Sequence, residues 1–101
     1  MEAVELLEEA LKGYLKSNGK RLLALMGASG QDEVCIECRA LYRYFRGSER
    51  YPRLVDALED LFKQEEELRR RGIEVERRGE FLGFRVTRGY VEGVLKGSEK
   101  V

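Results

Sequence analysis

The chain has 101 residues, 38% of them charged, and its 19 basic and 19 acidic side chains sum to zero net charge. That length allows one domain with a modest core and excludes two cores or a deep substrate cleft, while the zero balance means that nucleic-acid binding would need charge segregation rather than global excess. No apolar run approaches the roughly 20 residues that span a bilayer, and the acidic start lacks a signal peptide's charge and apolar core, so a cytoplasmic protein with no membrane partner is expected.

Residues 2–16 carry Val4, Leu7, Leu11 and Leu15 on one stripe with an acidic back, which predicts an amphipathic helix ended by the breaker Ser17-Asn18-Gly19. That stripe is a candidate homodimer surface by helix-on-helix packing, against plain core burial. The short apolar stretch 20–28 does not separate helix from buried strand by period; a helix is favoured. Residues 29–32 form a loop whose Asp32 caps a third helix, with Val34, Cys38, Leu41 and Phe45 on its stripe, ending at Gly47. A long helix then opens at Pro52, carries Leu54, Leu58, Leu61, Glu65 and Leu68 on one stripe with Val55 and Phe62 beside it, and closes at Gly72 behind Arg69, Arg70 and Arg71. After Gly72 the period drops to alternation. A turn centred on Arg78-Gly79 sets Val75 opposite Leu82 and Ile73 opposite Phe84, and an arginine at that position favours a loop longer than two residues. Phe81 falls on the other strand face and is expected to pack around Tyr90, with stacking on an unpaired base as the alternative. A short helix over residues 89–96 and a tail complete a single domain 1–101, mainly α with a C-terminal β-hairpin, an α+β fold.

Cys35 and Cys38 form the one CxxC. A single pair with no histidine supplies half the ligands of a tetrahedral zinc, so a metal would need a symmetric dimer; redox chemistry is a further option, and small buried core residues the simplest reading. Histidine is absent, no nucleophile elbow occurs, and the glycines form no phosphate cradle, so no enzyme and no cofactor are expected. Abundant Glu and Arg with one Asn fit a thermophilic source.

Helices followed by a helix leading into an arginine-tipped hairpin follow the order of a winged helix-turn-helix, with residues 33–88 forming the helix-turn-helix and wing. The run ECRALYRYFRGSERYPRLVDALEDLF, continued by LRRRGIEVERRGEFLGFRV, resembles the winged-helix domains at the C-terminal ends of phage and plasmid primase-helicases. The resemblance covers about half the chain and implies nucleic-acid binding without helicase or primase activity. In such a module the start of the second helix enters the major groove and the wing reaches the backbone, which makes Arg50, Arg53, Arg77, Arg78 and Arg85 the candidate DNA contacts of a transcription regulator or replication accessory factor. Asp56, Glu59, Asp60, Glu66 and Glu67 on the outward helix face oppose deep insertion. They favour the alternative, an interaction module that binds a basic protein partner and no nucleic acid.

Overall fold

The structure, a computed structural model, describes residues 2–99. The last two residues of the expected tail lie outside the described residues. In chain order it has α1 (Glu2–Ser29), β1 (Glu33–Glu37), a 3-10 helix (Cys38–Tyr44), α2 (Leu54–Phe62), α3 (Glu65–Arg70), β2 (Glu74–Arg78), β3 (Phe81–Thr87) and α4 (Arg88–Glu99). The fold is α+β, mainly helical, with a three-stranded antiparallel sheet in the order β1-β3-β2. No described helix is long and apolar enough to cross a membrane.

The first helix does not stop at Asn18-Gly19. Asn18 donates its side-chain amide to the Tyr14 carbonyl at 3.1 Å within the helix, and Gly19 is buried against α4, where an added Cβ would lie 3.1 Å from Leu95 Cδ1. Glycine in a helix interior costs about 1 kcal/mol relative to alanine, and here it permits close helix packing. The helix ends instead at Gly30, with φ +72°, as Gln31 N donates to the Met26 carbonyl at 3.0 Å. Val4, Leu7, Leu11 and Leu15 are 0% exposed within the single chain. The stripe read as a dimer surface is therefore core, and it has no area to offer a second copy.

The expected third helix divides into β1 and the 3-10 helix. Spacings of three and four among Val34, Cys38, Leu41 and Phe45 imitate a helical stripe, but Val34 and Ile36 alternate with Glu33, Cys35 and Glu37, and β-branched residues fit a pleated strand. Ile36, absent from that stripe, is buried opposite Phe84 on β3. Cys38 and Leu41, three apart, carry the burial into the 3-10 helix.

Arg53 rather than Pro52 stands at the start of α2: its backbone N–H donates to Asp56 Oδ2 at 3.0 Å while Asp56 N donates to the Arg53 carbonyl at 3.0 Å. The long helix breaks at Gln64 (φ −119°, ψ 32°), and α3 follows. Leu54, Leu61 and Leu68, seven residues apart, are all buried, whereas a straight helix drifts by about 20° per seven residues; the break keeps Leu68 turned inward. The end of α3 matches expectation. Gly72 has φ +85°, Gly72 N donates to the Arg69 carbonyl at 3.0 Å, and Ile73 N donates to the Leu68 carbonyl at 2.9 Å, a Schellman motif with its Leu68–Ile73 apolar pair.

The hairpin exists, with its register two residues from expectation: Val75 faces Phe84, Arg77 faces Leu82 and Arg78 faces Phe81. Gly79, at φ +57°, takes the first central position of a two-residue loop with Glu80, where a type II′ turn accepts glycine. An even shift leaves each side chain on its predicted face. The inner face, with Val34, Ile36, Leu82, Phe84 and Val86, packs into one core with α1, α2, Leu68 and Val91.

Candidate nucleic-acid interface

The five arginines expected to meet DNA occupy three places. Arg50 and Arg53 flank the start of α2, Arg77 lies on the inner side of β2, and Arg78 and Arg85 lie on the outer sheet face. Each has an acidic partner. Arg50 pairs with Asp60 at 3.7 Å, Arg53 with Asp56 at 3.3 Å, Arg77 with Glu65 at 3.4 Å and Arg78 with Glu76 at 3.3 Å. Arg85 bonds Glu76 and also reaches Glu74 at 3.6 Å. Three also cover aromatic rings: Arg50 over Tyr51 at 5.2 Å, Arg77 over Phe62 at 4.5 Å and Arg78 over Phe81 at 5.6 Å. Donation from Arg53 holds the Asp56 carboxyl below its usual range, and donation from the Cys35 thiol, then Arg85, does the same for Glu76.

Arg50, Arg53 and Arg78 remain 70%, 76% and 74% exposed in their side chains, and exposed pairs of this kind contribute little to stability because water and salt screen them. They open at little cost. The carboxylates, however, stay in place beside any incoming phosphate, together with Glu59 and Glu66 on the exposed side of α2 and α3. The basic charge that does gather is on the segment between β1 and α2, where Arg39, Arg43, Arg46, Arg50 and Arg53 are all exposed and Glu49 is the one acid. Gly47, with φ +70°, turns this segment, and Ser48 N donates to the Tyr51 carbonyl at 2.9 Å across it. Tyr51 in turn donates its hydroxyl to Asp60, tying the turn to α2. Beside it lies a groove of about 280 Å³ lined by Tyr42, Phe45, Pro52, Arg53, Leu54 and Val55. Tyr42 and Val55, 48% and 42% exposed, are two of the three large apolar side chains left to solvent among the described residues.

Phe81 does not reach Tyr90. It lines a groove with Glu37, Arg39, Tyr42, Glu80 and Leu82, while the Tyr90 ring lies against Gly72.

The cysteines are neither on one helix nor on one side of the molecule. Cys35 lies on the outer sheet face beside Glu76, its sulfur where a Cβ on Gly83 would come within 2.7 Å, and Cys38 sits in the core. With the Cys38 thiol buried in the core at the start of the 3-10 helix and Cys35 on the outer sheet face, the pair does not present two surface thiolates to a second copy. Burial, then hydrogen bonding to Glu76, pushes the Cys35 thiol up to about 11, and burial pushes Cys38 up to about 11. Both are therefore poor nucleophiles at neutral pH. Iodoacetamide at pH 8 should label neither appreciably in the folded protein and both once urea unfolds it; rapid labelling of the folded chain would contradict these environments. Because both folded values are raised above the unfolded thiol value, the stability they contribute is full below about pH 8.5 and fades as pH rises through about 11.

The sequence matches no family model, and neither a curated protein nor a solved structure shows significant similarity to it.

Proposed function

We propose that this chain is a non-enzymatic winged-helix protein that binds DNA as a regulator or replication accessory factor. The element order helix, strand, 3-10 helix, two helices, strand, strand, helix and the sheet order β1-β3-β2 support the winged-helix reading, with the 3-10 helix and α2 as the helix-turn-helix, the β2–β3 hairpin as the wing, and α3 and α4 as additions to that order. What carries nucleic-acid binding is the run of five exposed arginines from Arg39 to Arg53, of which Arg39, Arg50 and Arg53 have carboxylate partners in readily opened exposed pairs and Arg43 and Arg46 have none among the described residues, because clustered cations release the counterions condensed on phosphates. Fluorescence anisotropy of labelled duplex and single-stranded DNA tests it. Four phosphate contacts on duplex predict an affinity loss of about a hundredfold between 50 and 200 mM salt. The absence of binding to either form at 50 mM would end the proposal.

A second reading is favoured by the charge of α2: a winged-helix interaction module that binds a basic protein partner. Asp56 is bonded to Arg53 of the Tyr42–Val55 groove and Glu59 stands one helical turn from Val55 on α2, and acids next to an apolar slot complement a segment carrying lysines and one apolar anchor. This partner would bind equally well in Arg43→Glu and fail with Val55→Asp.

A further inference from the structure

The ion pairs of α2, α3 and the hairpin leave other cations unpaired. Lys12, Lys16, Arg21, Arg43 and Arg46 have no ion-pair partner among the described residues. These five converge. Lys12 and Lys16, one turn apart on α1, line a groove of about 510 Å³ with Arg43 and Arg46, in which Glu9 is the one acid. An adjoining groove of about 440 Å³ shares Arg43 and Tyr44, adds Arg21 and Arg39, and contains no carboxylate. The wall between the two is built. Tyr44 lies against α1 at Gly13, where a Cβ would come within 3.3 Å of its ring, and meets Tyr14 nearly perpendicular at 5.7 Å between centroids. Asn18 accepts from Arg21 at 3.1 Å, which draws that guanidinium along the same helix. Tyr42, half exposed, stands on the rim of the second groove.

We propose that these two grooves, between α1 and the 3-10 helix, form a track for single-stranded nucleic acid: Lys12, Lys16, Arg43 and Arg46 take successive phosphates and Tyr42 stacks on a base. The proposal rests on the nucleic-acid reading above and moves the main contact off the start of α2 and the hairpin. Three features select a single strand. The cations line concave channels rather than a projecting element, so nothing here enters a duplex groove. An unpaired strand bends into a channel that a duplex, stiff over about 150 base pairs, cannot follow. An exposed aromatic among cations is the combination by which sequence-tolerant single-strand binders hold bases and backbone together. The α2–α3 face has arginines as well, but each sits beside a carboxylate, as does Arg39 here with Glu37 at 2.7 Å, whereas the other five cations of the two grooves share Glu9 as the one lining acid.

The test is anisotropy of a labelled dT oligomer and a duplex of equal length against the whole protein and four variants, with thermal unfolding to establish that each is folded. Arg43→Glu with Arg46→Glu should weaken single-strand binding at least tenfold and flatten its salt slope by about 1.4, the share of two phosphates on a single strand. Lys12→Glu with Lys16→Glu should do likewise, and Tyr42→Ala should weaken binding severalfold with the salt slope unchanged. Arg77→Glu with Arg78→Glu should stay within twofold. Should a reversal unfold the chain, Arg43→Gln with Arg46→Gln takes its place and should give about half the slope change or more. Unaltered affinity in both groove variants, a tenfold preference for duplex, or binding of a labelled polyglutamate peptide as tight as that of the dT oligomer would overturn the track. Binding lost with Arg77 and Arg78 alone would overturn it too and leave the winged-helix reading standing, whereas no binding by the unaltered protein would end both.

Discussion

Replacing Phe84 with alanine is expected to destabilise the protein by about 3–5 kcal/mol, the range for emptying a large aromatic site in a core. Phe84 is 0% exposed, belongs to the central strand, and faces Ile36 on one side and Val75 on the other. It therefore lies between both flanking strands in the core cluster they share with the helices. Domains of this size have total stabilities of about 5–15 kcal/mol, and each kcal/mol moves the midpoint by about 4–8 °C. A fall of at least 12 °C in the thermal midpoint is the expected result. Val55→Ala, at a 42% exposed position, should change it little. A loss under 1 kcal/mol for Phe84→Ala would mean that the sheet register described above is wrong.

Gly47→Ala is the second large effect. The residue has φ +70°, and an added Cβ would come within 2.5 Å of the Pro52 carbonyl oxygen and 3.1 Å of that of Tyr51. Left-handed backbone costs a residue with a side chain about 1–2 kcal/mol, and the clash is with backbone, which yields only by moving the turn; together about 3 kcal/mol or more is expected. Gly30→Ala separates the two contributions, since it has nearly the same φ, +72°, with nothing within 4 Å. If urea unfolding finds the two variants equally destabilised, the close approach at Gly47 is not real. The turn also carries Arg46 and Arg50, so Gly47→Ala should weaken nucleic-acid binding in whatever fraction remains folded.

What the sequence made legible was local chemistry. The cap at Gly72 follows from an apolar stripe that stops at a glycine, and the hairpin follows from the change to alternation, because both signals reside within a few residues. The register slipped by two since Arg78-Gly79 and Gly79-Glu80 each place the apolar residues on one face, and a positive φ at Gly79 suits either turn, so that only the strand pairing Arg78–Phe81 separates them. Asn18-Gly19 read as a stop because a glycine's use in close packing depends on Leu95, far along the chain. β1 was hidden by the coincidence that strand and 3-10 helix together place apolar residues at helical intervals. At the site, the exposed arginine block was visible as a run with one acid. The neutralisation of Arg77 by Glu65 was not, nor was the tie between Arg71 and Glu8 at 3.2 Å across 63 positions. Nor could Lys12 and Lys16 be joined to Arg43 and Arg46 before α1 was laid beside the 3-10 helix.

The strand order has one more consequence. With β3 in the centre, β1 and β2 are the edges of the sheet, and their open hydrogen-bonding rows would invite another chain to extend it. Both carry charge along their length: Glu33 and Glu37 close the ends of β1, and Glu74, Glu76, Arg77 and Arg78 make up all of β2 except Val75. Charged borders of this kind discourage strand addition and the aggregation that follows from it. The sheet is thereby finished at three strands, with its two borders guarded by charge rather than left open for a further strand.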